Sequence, residues 1–224
     1  MVGGFAENTI DSCLAAVGHG LRWLEIDCRL AADGVLVARH DPRLPDGRWV
    51  SEVPSAETGI TLIEDLFAAL PPHVGVDLEV KTALEDALRP RGETTGAAAS
   101  DVAAASRAAG RNVLLTSFDA SVLTISRERN PDLPIGLLTW TRFPLRKSIP
   151  AAVHLGCQVV APQFASFPYP GTPAAEMERE LAEVVATAHR AGLEVVAWCP
   201  KPPEEALLVE AGVDCVIVDE VLSR

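Results

Sequence analysis

The sequence predicts an α/β chain of the parallel (β/α)-barrel class, on three observations. Short apolar runs alternate with helical segments from residue 22 onward. The runs are rich in Val, Ile and Leu, as strands buried on both faces are. Acidic residues sit at alternate positions inside two of them. The chain has 224 residues, 48% of them hydrophobic, which suffices for one barrel. No Ser/Gly/Pro-rich tract or run of like charge marks a seam, so a single domain over residues 1–224 is expected.

Taken in order, the helical stretch IDSCLAAVGHG (10–20) leads into the first strand, RWLEIDC (22–28). VLVARH (35–40) follows it across the turn AADG (31–34), with no room for a helix between them, which predicts a hairpin. The hairpin opens an excursion over about residues 30–60, through DPRLPDGRWVSEVPSAETG, to a helix beginning near Thr61 (TLIEDLFAALP). Strand GVDLEV (75–80) comes next, then helix AASDVAAASRAAG, strand NVLLTS (112–117), helix SVLTISRERN and strand PIGLLT (134–139). The remaining strands are CQVVAP (157–162), LEVVAWC (193–199) and CVIVD (215–219), with His154 late in a helical segment and helices AEMERELAEVVATAHRAG and PPEEALLVEAG between them. Strand–helix repeats with short connections require parallel strands and right-handed crossovers. An open doubly wound sheet would normally carry a Gly-rich phosphate loop after its first strand, and none is present here.

The formal net charge of −12 argues against nucleic acid as a partner, because such binders gather Lys and Arg. An anionic substrate must therefore be held locally, by a bound cation or by individual basic residues. Cys13, Cys28, Cys157, Cys199 and Cys215 are odd in number and form no C-x-x-C pair, so they read as buried small hydrophobes. Cys28 follows the acidic cluster but has no activating histidine beside it in sequence. No apolar stretch approaches the roughly 20 residues that span a bilayer, and no basic-then-apolar leader precedes the fold. Membrane insertion is therefore not expected, and a cytoplasmic location is.

The chemistry is signalled by charge inside apolar strands. Glu25 and Asp27 are two residues apart, so strand alternation points both to one face. Asp77, Glu79 and Lys81 repeat the geometry, with Glu79 and Lys81 at the strand's C-terminal end, where barrel enzymes place their sites. Close carboxylates in a dry mouth repel, and a divalent cation relieves them. Glu25, Asp27 and Glu79 make a hard, all-oxygen ligand set suited to Mg²⁺ or Ca²⁺. Lys81 brings the cluster near neutrality and can reach an anionic substrate. The competing reading pairs Glu25 and Asp27 with Lys81 or Arg29 as ordinary ion pairs. Two such clusters at the ends of successive strands favour the cation. His40 closes the strand VLVARH at the same end and suits acid–base work. His19, His73, His154 and His189 are expected at the opposite rim or the outer surface.

In this order the residues resemble the glycerophosphodiester phosphodiesterase family. The likeness is carried by Glu7-Asn8-Thr9, Glu25-Ile26-Asp27, Asp33-Gly34, His40-Asp41-Pro42, Thr61-Leu62-Ile63-Glu64 and Glu79-Val80-Lys81, and it continues to the end of the chain. The resemblance implies a TIM (β/α)8 barrel that hydrolyses a small-molecule glycerophosphodiester to an alcohol and glycerol 3-phosphate with one divalent cation. It implies Glu25, Asp27 and Glu79 as metal ligands, His40 as one of two catalytic histidines and Lys81 as a phosphate contact. Trp198 matches an aromatic at the substrate's glycerol end, with packing at the barrel mouth as the equal alternative. The pattern departs at the start, where Met1-Val2-Gly3-Gly4-Phe5 stands without the family's first strand and its His-Arg-Gly. A natural start further upstream is therefore expected, and a naturally shortened, weakly active or inactive homologue is the alternative. Two other readings share the metal site: a phospholipase-D-like hydrolase of lipid headgroups, and a non-catalytic binding module.

Overall fold

A computed structural model of the chain describes residues 4–169 and 179–219. These residues fall in two compact units, one within residues 1–133 and one within 134–219.

The first unit comprises α1 (Ile10–Gly18), β1 (Trp23–Leu30), β2 (Leu36–Ala38), α2 (Ser55–Thr58), α3 (Ile63–Ala69), β3 (Gly75–Val80), α4 (Thr95–Ala108), β4 (Val113–Ser117) and α5 (Ala120–Arg129). Its strands lie in the order β2-β1-β3-β4. β1–β3 and β3–β4 are parallel, and β2 returns antiparallel to β1, as the hairpin signal predicts. The register stacks Ile26, Leu78 and Leu115, all fully buried, across three strands on one face. The other face carries the row Asp27–Glu79–Thr116, with Glu25 opposite Asp77 one step earlier. The period-2 alternation of the sequence thus separates an apolar face from an acidic one.

Two predicted boundaries move, each for a pairing reason. β1 runs to Leu30 rather than ending at residue 28, because Cys28, Arg29 and Leu30 pair with β2. α3 begins at Ile63, two residues past Thr61, because the Thr61 carbonyl accepts from the Ala38 amide at 2.8 Å and Leu62 bridges Val37. The excursion has its own small core of Ala31, Val37, Leu44, Val50 and Val53, against which Ile60 and Leu62 pack.

Two further details hold β3 in place. A Cβ at Gly75 would lie 2.5 Å from the Trp23 indole in the paired strand, so only glycine admits that ring. Arg111 reaches back some forty residues: its guanidinium donates to the carbonyls of Phe67, Leu70, Pro71 and Val74 at 2.9–3.0 Å. It thereby closes the C-terminus of α3, whose last carbonyls have no partner within the helix.

The second unit repeats the strand–helix alternation: β5 (Ile135–Thr139), α6 (Leu145–His154), β6 (Val159–Pro162), α7 (Leu181–Arg190), β7 (Glu194–Trp198), α8 (Pro202–Glu210) and β8 (Cys215–Ile217). The strands lie parallel in that order. Residues 175–178 of the predicted helix AEMERELAEVVATAHRAG lie outside the described residues. Among the described residues no helix is long and apolar enough to cross a membrane.

Removing the Arg111 clamp should be costly, because it orphans helix-end carbonyls that are partly shielded from water. Arg111→Met is expected to lower unfolding stability by about 2–4 kcal/mol. Urea denaturation measures this, and a loss below about 0.5 kcal/mol, the level of an indifferent surface change, would show that water replaces the guanidinium freely.

Candidate active site

The acidic face of the first unit gathers four carboxylates, two of which pair with one ammonium. Asp27, Asp77 and Glu79 are buried. Glu25 keeps some exposure as a residue, but its Oε1 is out of reach of water and has no hydrogen-bond partner. Glu25, Asp27 and Glu79 each offer an oxygen within 4.8 Å of the others, a spacing that could hold a metal ion. Lys81 Nζ stands 3.1 Å from Asp27 Oδ1 and pairs with Glu79 Oε1. Its ammonium also lies 5.6 Å from the centre of the Phe118 ring. The structure therefore brings together the four residues that the alternation singles out.

The orphaned Glu25 oxygen fits a cation. A buried carboxylate oxygen without a donor is costly, and a cation supplies the missing partner. The electrostatics point the same way. Burial drives the Glu25 carboxyl well above the ordinary carboxylate range, and the charges of Asp27, Glu79 and Asp77 push it further. Burial also raises Glu79, against the pull of Lys81. Asp77 is raised to about 7, chiefly by burial, although Thr116 Oγ1 donates to its Oδ1 at 2.7 Å. For Lys81 burial works downward, yet Glu79 and Asp27 outweigh it, and the ammonium is held more firmly than in water.

His40 stands at the rim. Its side chain is 55% exposed, and Nδ1 lies 3.0 Å from Asp41 Oδ1, which holds the Asp41 carboxyl below its usual range. The backbone beneath it is fixed. The Arg39 amide donates to the Asp27 carbonyl at 3.0 Å, and Arg29 donates to the His40 carbonyl through Nε at 2.8 Å and Nη2 at 2.6 Å. Arg29 also reaches the Thr82 carbonyl at 3.3 Å. Arg29 thus fastens two loops at the strand ends and forms no ion pair with Glu25 or Asp27. A cleft of about 280 Å³ opens beside Lys81, walled in part by Arg29, Pro42, Trp49, Leu84 and Glu85.

The other histidines lie at helix C-terminal ends or just before a strand, away from the strand C-termini of their own units. His19 caps the end of α1, His73 precedes β3, His154 ends α6, and His189 in α7 bonds Asp214 at 2.8 Å. Trp198 ends β7 in the second unit, where it bridges Gln163.

Sequence reasoning gave no role to Asn8, which the structure places in the site. Its Nδ2 donates to Asp27 Oδ2 at 2.8 Å, and its Oδ1 accepts from the Asp27 amide at 2.9 Å. Asn8 does so from a left-handed backbone, φ 58°, just before Thr9, the N-cap of α1. The signal was the Glu7-Asn8-Thr9 motif, but a contact across nineteen residues has no local periodicity to announce it. Asp77 and Thr116 were missed in the same way as a pair.

The sign of the Asp77 shift gives a pH test on the metal-free protein. Unfolded, its carboxyl releases a proton near pH 4, whereas folded it does so near 7. The folded state therefore binds the extra proton, and this contribution to stability is lost as pH rises from about 4 to 7. Asp77→Asn keeps an acceptor for Thr116 and removes the titration. In EDTA its melting temperature should fall less than wild type's between pH 5 and 8, and should exceed wild type's at pH 8. Parallel curves for the two proteins would refute the assignment.

Known proteins resemble this chain in sequence and in fold. The family model described as the glycerophosphoryl diester phosphodiesterase family matches in two segments, residues 2–51 and 46–223. The "Probable glycerophosphodiester phosphodiesterase 2" of Mycobacterium tuberculosis is 34% identical over 92 residues, and the match spans 35% of this chain and 35% of that protein. An Oleispira antarctica phosphodiesterase solved with the product sn-glycerol-3-phosphate superposes with a TM-score of 0.78 at 23% identity, over 95% of this chain and 87% of that one. A glycerophosphodiester phosphodiesterase structure from Thermotoga maritima matches with a TM-score of 0.71 at 20% identity, over 96% and 89%. These structural likenesses establish the α/β-barrel fold class that the alternation predicts. The chain belongs to the glycerophosphoryl diester phosphodiesterase family, a family of hydrolases.

Proposed function

We propose that the chain is a metal-dependent phosphodiesterase that cleaves glycerophosphodiesters to an alcohol and glycerol 3-phosphate, within glycerophospholipid metabolism. One observation carries this reading: Glu25, Asp27 and Glu79 offer oxygens within 4.8 Å of one another, on one face of the paired strands β1 and β3, beside a lysine that borders a cleft. Family membership supports the reaction class, and the Oleispira antarctica structure with sn-glycerol-3-phosphate supports the substrate class. Cysteines odd in number and without a C-x-x-C pair are in keeping with a reducing compartment such as the cytoplasm.

Glu25, Asp27 and Glu79 would hold the cation, and their hard oxygens suit Mg²⁺ or Ca²⁺. When bound, that ion supplies Lewis acidity and positive charge for the phosphoryl oxygens. Lys81 adds a second positive charge at the same place and orients the anionic diester in the cleft. His40 moves the proton: its exposed imidazole, tethered to Asp41, accepts from an attacking hydroxyl or donates to the leaving alcohol oxygen. The Arg29 contacts to the His40 and Thr82 carbonyls keep the imidazole-bearing loop and the loop after Lys81 in fixed relation.

The test is hydrolysis of glycerophosphocholine, followed as release of glycerol 3-phosphate. Turnover should require Mg²⁺ or Ca²⁺, stop on addition of EDTA, and fall about 10²–10⁴-fold in His40→Ala with the metal affinity unchanged. Release that is indifferent to EDTA, or no release with either ion, would overturn the proposal.

A further inference from the structure

We propose that Asn8 is a positioning residue of the cation site, fixing Asp27 in the orientation that ligation requires and so setting the affinity for the divalent ion. The inference rests on the metal-site reading above and assigns to it a side chain outside the ligand set.

The geometry is specific. Asn8 grips Asp27 twice, donating from Nδ2 to Oδ2 at 2.8 Å and accepting the Asp27 amide at Oδ1 at 2.9 Å. One contact fixes the carboxylate plane and the other fixes the backbone that bears it. Asp27 Oδ1 is left facing Lys81, 3.1 Å away, on the side of the carboxylate where Glu79 lies. A carboxylate on a short side chain rotates easily about its last bond, and each rotation would carry an oxygen away from a shared ion. Partners that orient a ligand in this way are typically worth 10–100-fold in metal affinity.

The backbone supports a selected position rather than a casual contact. Asn8 adopts φ 58°, a region that side chains other than glycine enter at a cost and that asparagine tolerates better than most. Directly after it, Thr9 caps α1: its Oγ1 accepts from the Ser12 amide at 3.2 Å, and the Ser12 hydroxyl accepts from the Thr9 amide at 3.3 Å. The helix start is thus locked by Thr9, leaving the Asn8 side chain free to serve Asp27. Glycine suits the left-handed backbone but cannot make either contact. Asn8→Gly therefore separates the clamp from the turn.

The experiment measures Mg²⁺ and Ca²⁺ affinity by calorimetry, together with the rise in melting temperature that each ion produces, in wild type, Asn8→Gly and Thr9→Ala. Asn8→Gly should bind about 10–100-fold more weakly and lose most of the ion-induced rise. Thr9→Ala, which breaks the helix cap without touching Asp27, should melt lower without ion yet keep the wild-type affinity. Equal affinity in Asn8→Gly and wild type, or equal weakening in both variants, would reduce Asn8 to a structural turn residue and overturn the inference. A wild-type chain that binds neither ion would instead overturn the metal-site reading from which the inference starts.

Discussion

The first unit is organised around a repulsion. Parallel pairing sets Asp27 beside Glu79 and Glu25 beside Asp77, so adjacent strands about 4.8 Å apart carry like charges on a buried face. On that face the row Asp27–Glu79–Thr116 is polar, and Leu114, opposite Asp77, is buried beside it. The stabilisation comes from the reverse side, where Ile26, Leu78 and Leu115 stack in the same register without exposure. A one-residue slip would exchange the two faces and put carboxylates into the apolar layer. The pairing that packs the core is therefore the pairing that concentrates the charge, and stability and site share one register.

Each carboxylate is answered differently. Asp77 takes a hydroxyl from Thr116, Asp27 takes an amide from Asn8 and the ammonium of Lys81, and Glu79 takes Lys81. Glu25 Oε1 takes nothing among the described residues. The rim is secured from the other direction, because the small core of Ala31, Val37, Leu44, Val50 and Val53 anchors the excursion that delivers His40. Arg29 then fixes the His40 carbonyl from below. The imidazole is exposed at its tip and held at its root, an arrangement that suits the proposed proton transfer.

Much of this was legible because it obeys short periods. Alternation placed Glu25, Asp27, Glu79 and Lys81 on one face, and the four-residue turn AADG announced the hairpin that brings His40 to the rim. What escaped depends on contacts between distant segments. Arg111 serves carbonyls some forty residues away, Asn8 serves an aspartate nineteen residues on, and Thr116 answers Asp77 across thirty-nine. No local pattern distinguishes these side chains from solvent-facing ones. The boundary shifts at Leu30 and Ile63 have the same origin, since β2 recruits residues that propensity alone would leave to a turn or a helix.

The unequal satisfaction of the three candidate ligands has a chemical consequence. An ionised carboxylate has about four lone-pair sites. Asp27 commits one oxygen to Asn8 and points the other toward Lys81, which leaves lone pairs for a cation without releasing either hold. Glu79 is restrained through Lys81, and Glu25 is restrained by burial with an oxygen still unspent. A cation entering here would meet one carboxylate already oriented, one held by the Lys81 ammonium, and one whose buried oxygen still lacks a partner. On the proposed reading the first would confer geometry and the last driving force, and Lys81, which borders the cleft, would share its charge between the ion and the anionic diester.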